Sequence, residues 1–182
     1  MKKAFTMIEL IFVIVILGIL AAVGLPKFMG VAKQAHEGNL KSFVGTLNRT
    51  VGPTLWSQSI AEGHNGDISY LDLEYDKTSN PDGNLTKYVD VPKEIKRMDL
   101  GECNSTTQWK IVGYADQGVA GANYFIACID GNANQSPKFA LFNQRKPSTE
   151  LTDDKLGDAN TSQVTPDKPV TFSGNEEGTL IK

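Results

Sequence analysis

Between Phe5 and Leu25 the only polar side chains are Thr6 and Glu9. These 21 residues, at about 1.5 Å each in a helix, reach roughly the 30 Å of a bilayer core, so the pattern predicts a membrane-length helix. A carboxylate inside such a run costs about 2.5–3.5 kcal/mol on insertion scales, which marks Glu9 as functional and calls for a positive partner from elsewhere. Gly18, Gly24 and Pro26 disfavour the helix interior, and Pro26 also removes a backbone donor, so a kink or loosened turn is expected there.

Past Pro26 the apolar positions Phe28, Val31, Ala32, Ala35, Leu40, Phe43, Val44 and Leu47 recur mostly at spacings of three and four. Lys27, Lys33, Gln34, Glu37 and Lys41 lie between them, an amphipathic continuation of the helix. Gly52-Pro53 is expected to break or bend it, with Thr54 to Ala61 a short further helix closed by Gly63. Residues 63–107 are rich in Gly, Asn, Asp, Pro and Ser and read as loops. One or two short edge strands are expected among their apolar fragments, such as Ile68 to Leu73 and Lys87 to Val91. Gln108 to Tyr114, Asn123 to Ile129 and Lys138 to Asn143 are the stronger strands, and their short connections imply an antiparallel meander. From Arg145 onward apolar residues thin out into a solvated tail, with Val170 to Phe172 a candidate last strand.

The motif Ala4-Phe5-Thr6-Met7-Ile8-Glu9-Leu10, opening an apolar helix, resembles the prepilin leader of the type IV pilin family, which includes the pseudopilins of type II secretion. The resemblance covers about the first 30 residues; Ala4 stands where the family usually has Gly. It implies removal of residues 1–4 by a prepilin peptidase cutting between Ala4 and Phe5, and methylation of the new Phe5 amine by the same enzyme. Glu9 then pairs with the Phe5 amine of a neighbouring subunit in a homo-oligomeric filament. The family's filaments loosen the helix near Gly18, Gly24 and Pro26. The implied organisation is a filament-core helix over 5–26, an amphipathic head helix over 27–62 and a loop-rich β head over 63–182. That is an α+β lollipop, a long helix packed on a small antiparallel sheet.

The same resemblance implies an inner-membrane assembly platform and minor pilins or pseudopilins as partners. The subunit would sit in a bacterial inner membrane with its head extracytoplasmic, then in a periplasmic or extracellular filament. Physics independent of the family agrees, because Lys2 and Lys3 could not follow an apolar helix into a dry core without partners. Three other readings stay open: a secretory signal, a plain anchor holding a membrane-tethered periplasmic binding module, and a minor adhesin-like subunit.

Removing Lys2 and Lys3 leaves 16 basic against 21 acidic side chains, a charge of −5, with no basic cluster, so direct nucleic-acid binding is not expected. Only two cysteines occur, Cys103 and Cys128, both extracytoplasmic in this topology; a disulfide is expected, two buried free thiols being the alternative. His36 and His64 stand in no catalytic or metal-binding spacing, and the reading is of no enzyme, no cofactor and no metal. Asp130-Gly-Asn132-Ala-Asn134 mimics the start of a calcium loop, but Gln135 replaces the required Gly and Leu141 the closing Glu, so a hairpin turn is expected. Asp153, Asp154 and Asp158 read as a solvated acidic loop. Asn48-Arg-Thr, Asn84-Leu-Thr, Asn104-Ser-Thr and Asn160-Thr-Ser are N-x-[ST] sequons. In the last three an acid (Asp82, Glu102, Asp158) precedes the Asn by two positions, which resembles the extended acceptor of bacterial oligosaccharyltransferases.

Overall fold

A computed structural model describes residues 6–81, 83–116, 123–144, 170–172 and 176–181. By internal packing the chain divides into two units, residues 1–36 and 37–182. Helix α1 spans Met7–Thr46 with Pro26 inside it. Within the first unit its large apolar side chains from Met7 to Leu25 are exposed, and so are Phe28 at 73% and Val31 at 61%. Of the amphipathic positions only those from Leu40 on, Leu40, Phe43, Val44 and Leu47, enter a hydrophobic core.

The expected break at Gly52-Pro53 does not occur. A π-helical turn, Leu47–Val51, joins α1 to α2, Gly52–Ala61. The wider turn lets the Gly52 N–H donate to the Leu47 carbonyl and brings Pro53 into the first turn of α2, where a missing N–H is tolerated. Asn48 fixes this turn to the sheet. Its Nδ2 donates to the Val44 carbonyl at 3.0 Å and the Phe139 carbonyl at 2.8 Å, while its Oδ1 accepts from the Phe139 N–H at 2.9 Å. One side chain thus replaces the two ladder bonds of a neighbouring strand. Past α2, Gly63 turns the chain at φ 86°.

Seven strands form one antiparallel sheet: β1 Glu74–Asp76, β2 Ile95–Asp99, β3 Lys110–Asp116, β4 Asn123–Ile129, β5 Lys138–Gln144, β6 Val170–Phe172 and β7 Glu176–Ile181. Their spatial order is β1-β2-β3-β4-β5-β7-β6. The three strong candidates form the expected meander, with Ile111 opposite Ala127, Tyr124 opposite Asn143 and Cys128 opposite Phe139. The molecule is therefore α+β, a long N-terminal helix followed by an antiparallel sheet, as in pilins.

The apolar fragments expected to be edge strands are not. Ser69–Leu71 is a 3₁₀ turn that ends at Asp72 in the left-handed region, and Asn84–Lys87 is another. The short strands of this stretch are β1 and β2 instead; β1 lies at the sheet edge and β2 between β1 and β3, and β2 alternates too little and carries too many charges to stand out by pattern. In the C-terminal part the expected strand at Val170–Phe172 is present, but β7 was not anticipated; it pairs with β5 through Leu141–Ile181 and Phe142–Leu180. Residues 145–169 lie outside the described set.

β4 is buried on both faces and so reads as a nearly continuous apolar strand. Tyr124, Ile126 and Cys128 face the core built with Leu40, Leu47 and Leu55. Phe125 and Ala127 face a second cluster with Ile111, Ala140 and Phe142, where Phe125 and Phe142 stack at 5.3 Å. Cys103 and Cys128 form a disulfide in the main core, with Cα atoms 5.6 Å apart.

Candidate functional site

The helix entrance is where the chain concentrates its functional signals, and the structure adds one the sequence reading missed. Thr6 stands at the N-cap of α1 and Glu9 at the third helical position. The Thr6 N–H donates to Glu9 Oε2 at 3.1 Å and the Thr6 hydroxyl donates to the same oxygen at 2.9 Å. In return Thr6 Oγ1 accepts from the Glu9 N–H at 3.4 Å. This is a reciprocal capping box, in which each residue satisfies a backbone donor that the first helical turn leaves without a carbonyl. The T-x-x-E spacing ahead of an apolar run was the signal that could have revealed it. Among the described residues Thr6 is the carboxylate's only partner, a neutral one. The bonds fix the carboxylate's position at the positive end of the helix dipole without cancelling its charge. Ala4 and Phe5 lie outside the described residues.

Beyond the entrance, α1 presents an apolar surface through Leu25 and is long and apolar enough to cross a membrane. A Cβ added at Gly18 would meet nothing within 4 Å outside the local helix backbone and one at Gly24 only the Phe28 ring at 3.8 Å, so neither glycine is required by packing inside the chain. An exposed apolar surface of this extent marks an interaction with lipid or protein.

In the second unit the polar side chains serve the fold. Among the described residues no group of three or more His, Cys, Asp and Glu is arranged to hold a metal. Asp153, Asp154, Asp158 and Asn160 lie outside those residues. The Asp130-to-Gln135 segment is the hairpin turn expected, with Asn132 Oδ1 accepting from the Asn134 and Gln135 N–H groups. Its backbone crosses that of Gly66, at φ 89°, and the Trp56 indole donates to the Asn132 carbonyl at 2.8 Å. A Cβ at Gly66 or Gly131 would collide there. His64 is exposed and stacks on Tyr70 at 3.6 Å. An open groove of about 720 Å³ between α1 and the 88–94 loop contains the Asn39–Glu94 hydrogen bond.

At this crossing Asp130 is buried, accepting from the Ile68 N–H at 3.1 Å and the Gly131 N–H at 2.7 Å, with the Asp67 carboxyl as its hydrogen-bonded neighbour. Burial above all, reinforced by Asp67, pushes Asp130 up to about 7. Burial opposes ionisation of Asp67 as well, but the Ser69 hydroxyl and N–H outweigh it and hold Asp67 below its ordinary value. The two neighbouring carboxyls are thus pushed in opposite directions, Asp130 toward its protonated form and Asp67 toward its ionised form. Between about pH 4 and pH 7 the unfolded chain has lost the Asp130 proton and the folded one keeps it, so this residue makes stability fall as pH rises. Three units correspond to about 4 kcal/mol, and solvent screening reduces that to roughly 2 kcal/mol. Asp130→Asn can still accept from both N–H groups and donate to Asp67, so the variant is expected to be the more stable at pH 8. Urea denaturation of the detergent-solubilised chain at pH 5 and pH 8 measures this; an unchanged pH dependence would contradict it.

Residues 1–25 match the family described as the prokaryotic N-terminal methylation motif. No curated protein and no solved structure matches the chain. The matched segment takes in the capping box and the apolar run that follows it, and the motif marks a pilin-type structural subunit. The methylation motif at the N-terminus, the exposed apolar helix behind it and the antiparallel sheet in the second unit together support a type IV pilin-like protein.

Proposed function

We propose that this chain is a structural subunit of an extracytoplasmic helical filament, a type IV pilus or a type II secretion pseudopilus, assembled through its apolar N-terminal helix after the leader is cut. The observation that carries the reading is the exposed apolar face of α1 from Met7 to Leu25, interrupted only near its entrance by a capped carboxylate. In the membrane, lipid covers that face; in the filament, the equivalent helices of other copies do. A prepilin peptidase cuts between Ala4 and Phe5 and methylates Phe5, and removal of Lys2 and Lys3 leaves the Phe5 amine as the one cation ahead of Lys27. Glu9 follows four residues later, so an axial stagger between neighbours brings one subunit's carboxylate to another's amine. Gly18, Gly24 and Pro26 are the positions where the helix loosens as subunits leave the bilayer for the filament. An inner-membrane platform and minor subunits are the partners this assembly requires.

The test is the N-terminus of assembled material. Mass spectrometry of sheared filaments is expected to find N-methylphenylalanine from Phe5 as the first residue. Intact Met1 in the filaments would overturn the proposal, since the leader lysines would then lie in an apolar core.

A further inference from the structure

We propose that Asn104 and Asn84 are acceptors of an N-linked glycan, transferred by a membrane oligosaccharyltransferase from a polyprenyl-diphosphate-linked oligosaccharide. The proposal rests on the extracytoplasmic placement of residues 37–182 given above.

The sequons separate into two kinds by sequence, and the structure divides the described ones along the same line. Asn48, with Thr46 two positions before it, spends its whole amide on the latch to Val44 and Phe139. Glycosylation there would break three hydrogen bonds and separate the π-helical turn from β5. Asn104, with Glu102 two positions before it, is exposed, and among the described residues its side chain makes no hydrogen bond. Its surroundings hold the acceptor outward. The neighbouring Cys103 is buried in its disulfide, and the Ser105 carbonyl accepts from the Asp130 N–H at 2.8 Å. Between and after these two anchors, the side chains of Asn104 and Thr106 are both exposed.

Asn84, with Asp82 two positions before it, opens the short 3₁₀ turn and is also exposed. Its amide makes only surface bonds, to the Asp72 carbonyl at 3.3 Å and from Lys87 Nζ at 2.8 Å. Exposure and the acidic residue are independent properties, and they coincide at both described sites.

The chemistry needs what these sites offer. Asn Nδ2 forms a bond to the anomeric carbon of the donor sugar as that carbon's bond to the diphosphate oxygen breaks. The polyprenyl diphosphate leaves with the electron pair, and the Nδ2 proton passes to a base. An amide nitrogen is a weak nucleophile, so the enzyme must twist it out of conjugation, which an accessible amide permits and a triply bonded one does not. The exposed hydroxyl of Thr106, two positions after Asn104, and the preceding carboxylate are the handles by which the enzyme grips the segment; at Asn84 the corresponding Thr86 hydroxyl must first leave the Gly83 carbonyl, to which it donates at 2.8 Å.

The full chain is to be expressed in cells carrying an acid-dependent bacterial oligosaccharyltransferase and its lipid-linked heptasaccharide, and mapped by glycopeptide mass spectrometry. The expected result is one glycan mass on the Asn104 peptide and one on the Asn84 peptide, with none on Asn48. Glu102→Gln and Thr106→Ala are expected to remove the glycan at Asn104 at least tenfold, while Thr106→Ser keeps it and Asn84 modification continues, which reports an intact fold. Protease treatment of spheroplasts reports topology in the same cells. A protease-accessible, disulfide-bonded chain without glycan overturns this proposal alone, as does modification of Asn104 that survives Glu102→Gln. A protease-protected head overturns the placement on which the proposal rests, and the proposal with it.

Discussion

Filament yield is expected to collapse when Glu9 is replaced by Leu or by Gln, while the membrane level of the subunit and its cleavage after Ala4 stay normal. Leu removes the carboxylate that the bilayer penalises, so insertion is unchanged or improved. In the filament the Phe5 amine is then buried without its anion, a loss of about 3–5 kcal/mol per subunit for a fully buried pair. The capping box makes Gln the sharper variant. Gln at the third helical position still accepts from the Thr6 N–H, so the helix start survives and only the charge is lost. The measurement compares shear-released filament with membrane-retained subunit in cells lacking the wild-type copy. Normal yield from Glu9→Gln would assign Glu9 to capping alone and defeat the charge-pairing account. A tethered domain would tolerate either substitution.

The second large effect is expected from the disulfide. Cys103 and Cys128 close 25 residues of chain, worth about 3–4 kcal/mol on the chain-entropy estimate, an upper figure because the unfolded state retains structure. The Cys103→Ala/Cys128→Ala double variant avoids leaving one buried thiol without its partner. For a domain of this size 1 kcal/mol moves Tm by about 2–4 °C, so a loss of roughly 6–16 °C is expected in the oxidised comparison. The bond joins the segment before β3 to the end of β4, so its loss should release both at once. Coincident melting curves for wild type and variant would show that packing alone holds them together.

The helix entrance was legible because its signals are local. A membrane-length apolar run, one carboxylate and fixed spacing suffice, and no distant residue is needed to interpret them. The strands β3, β4 and β5 were legible for a related reason: their β-branched and aromatic content follows from burial, on both faces in the case of β4. The disulfide followed from there being two cysteines on one side of a membrane. The capping box was equally local, yet the apolar run drew attention to Glu9 as a charge and away from Thr6 as its partner.

Elsewhere the deciding partner lies far along the chain. Asn48 reads as a surface sequon until Phe139, 91 residues away, supplies a backbone N–H and carbonyl at the spacing of a strand edge. Gly52-Pro53 reads as a helix break until the π-helical turn absorbs it, and the Asn48 latch holds that turn against β5. β2 and β7 have little strand character of their own and take form by completing ladders begun by β3 and β5. Asp130 reads as the start of a hairpin turn until the 64–69 backbone folds over it and buries its carboxyl beside Asp67. Composition and periodicity by themselves settled the apolar helix, its carboxylate, the meander and the cysteine pair, since each is written within a few turns or strands of chain. Tertiary structure alone decided the helix continuity, strands β1, β2 and β7, the Asn48 latch and the raised Asp130 carboxyl, because each depends on hydrogen bonds or desolvation supplied by residues distant in sequence.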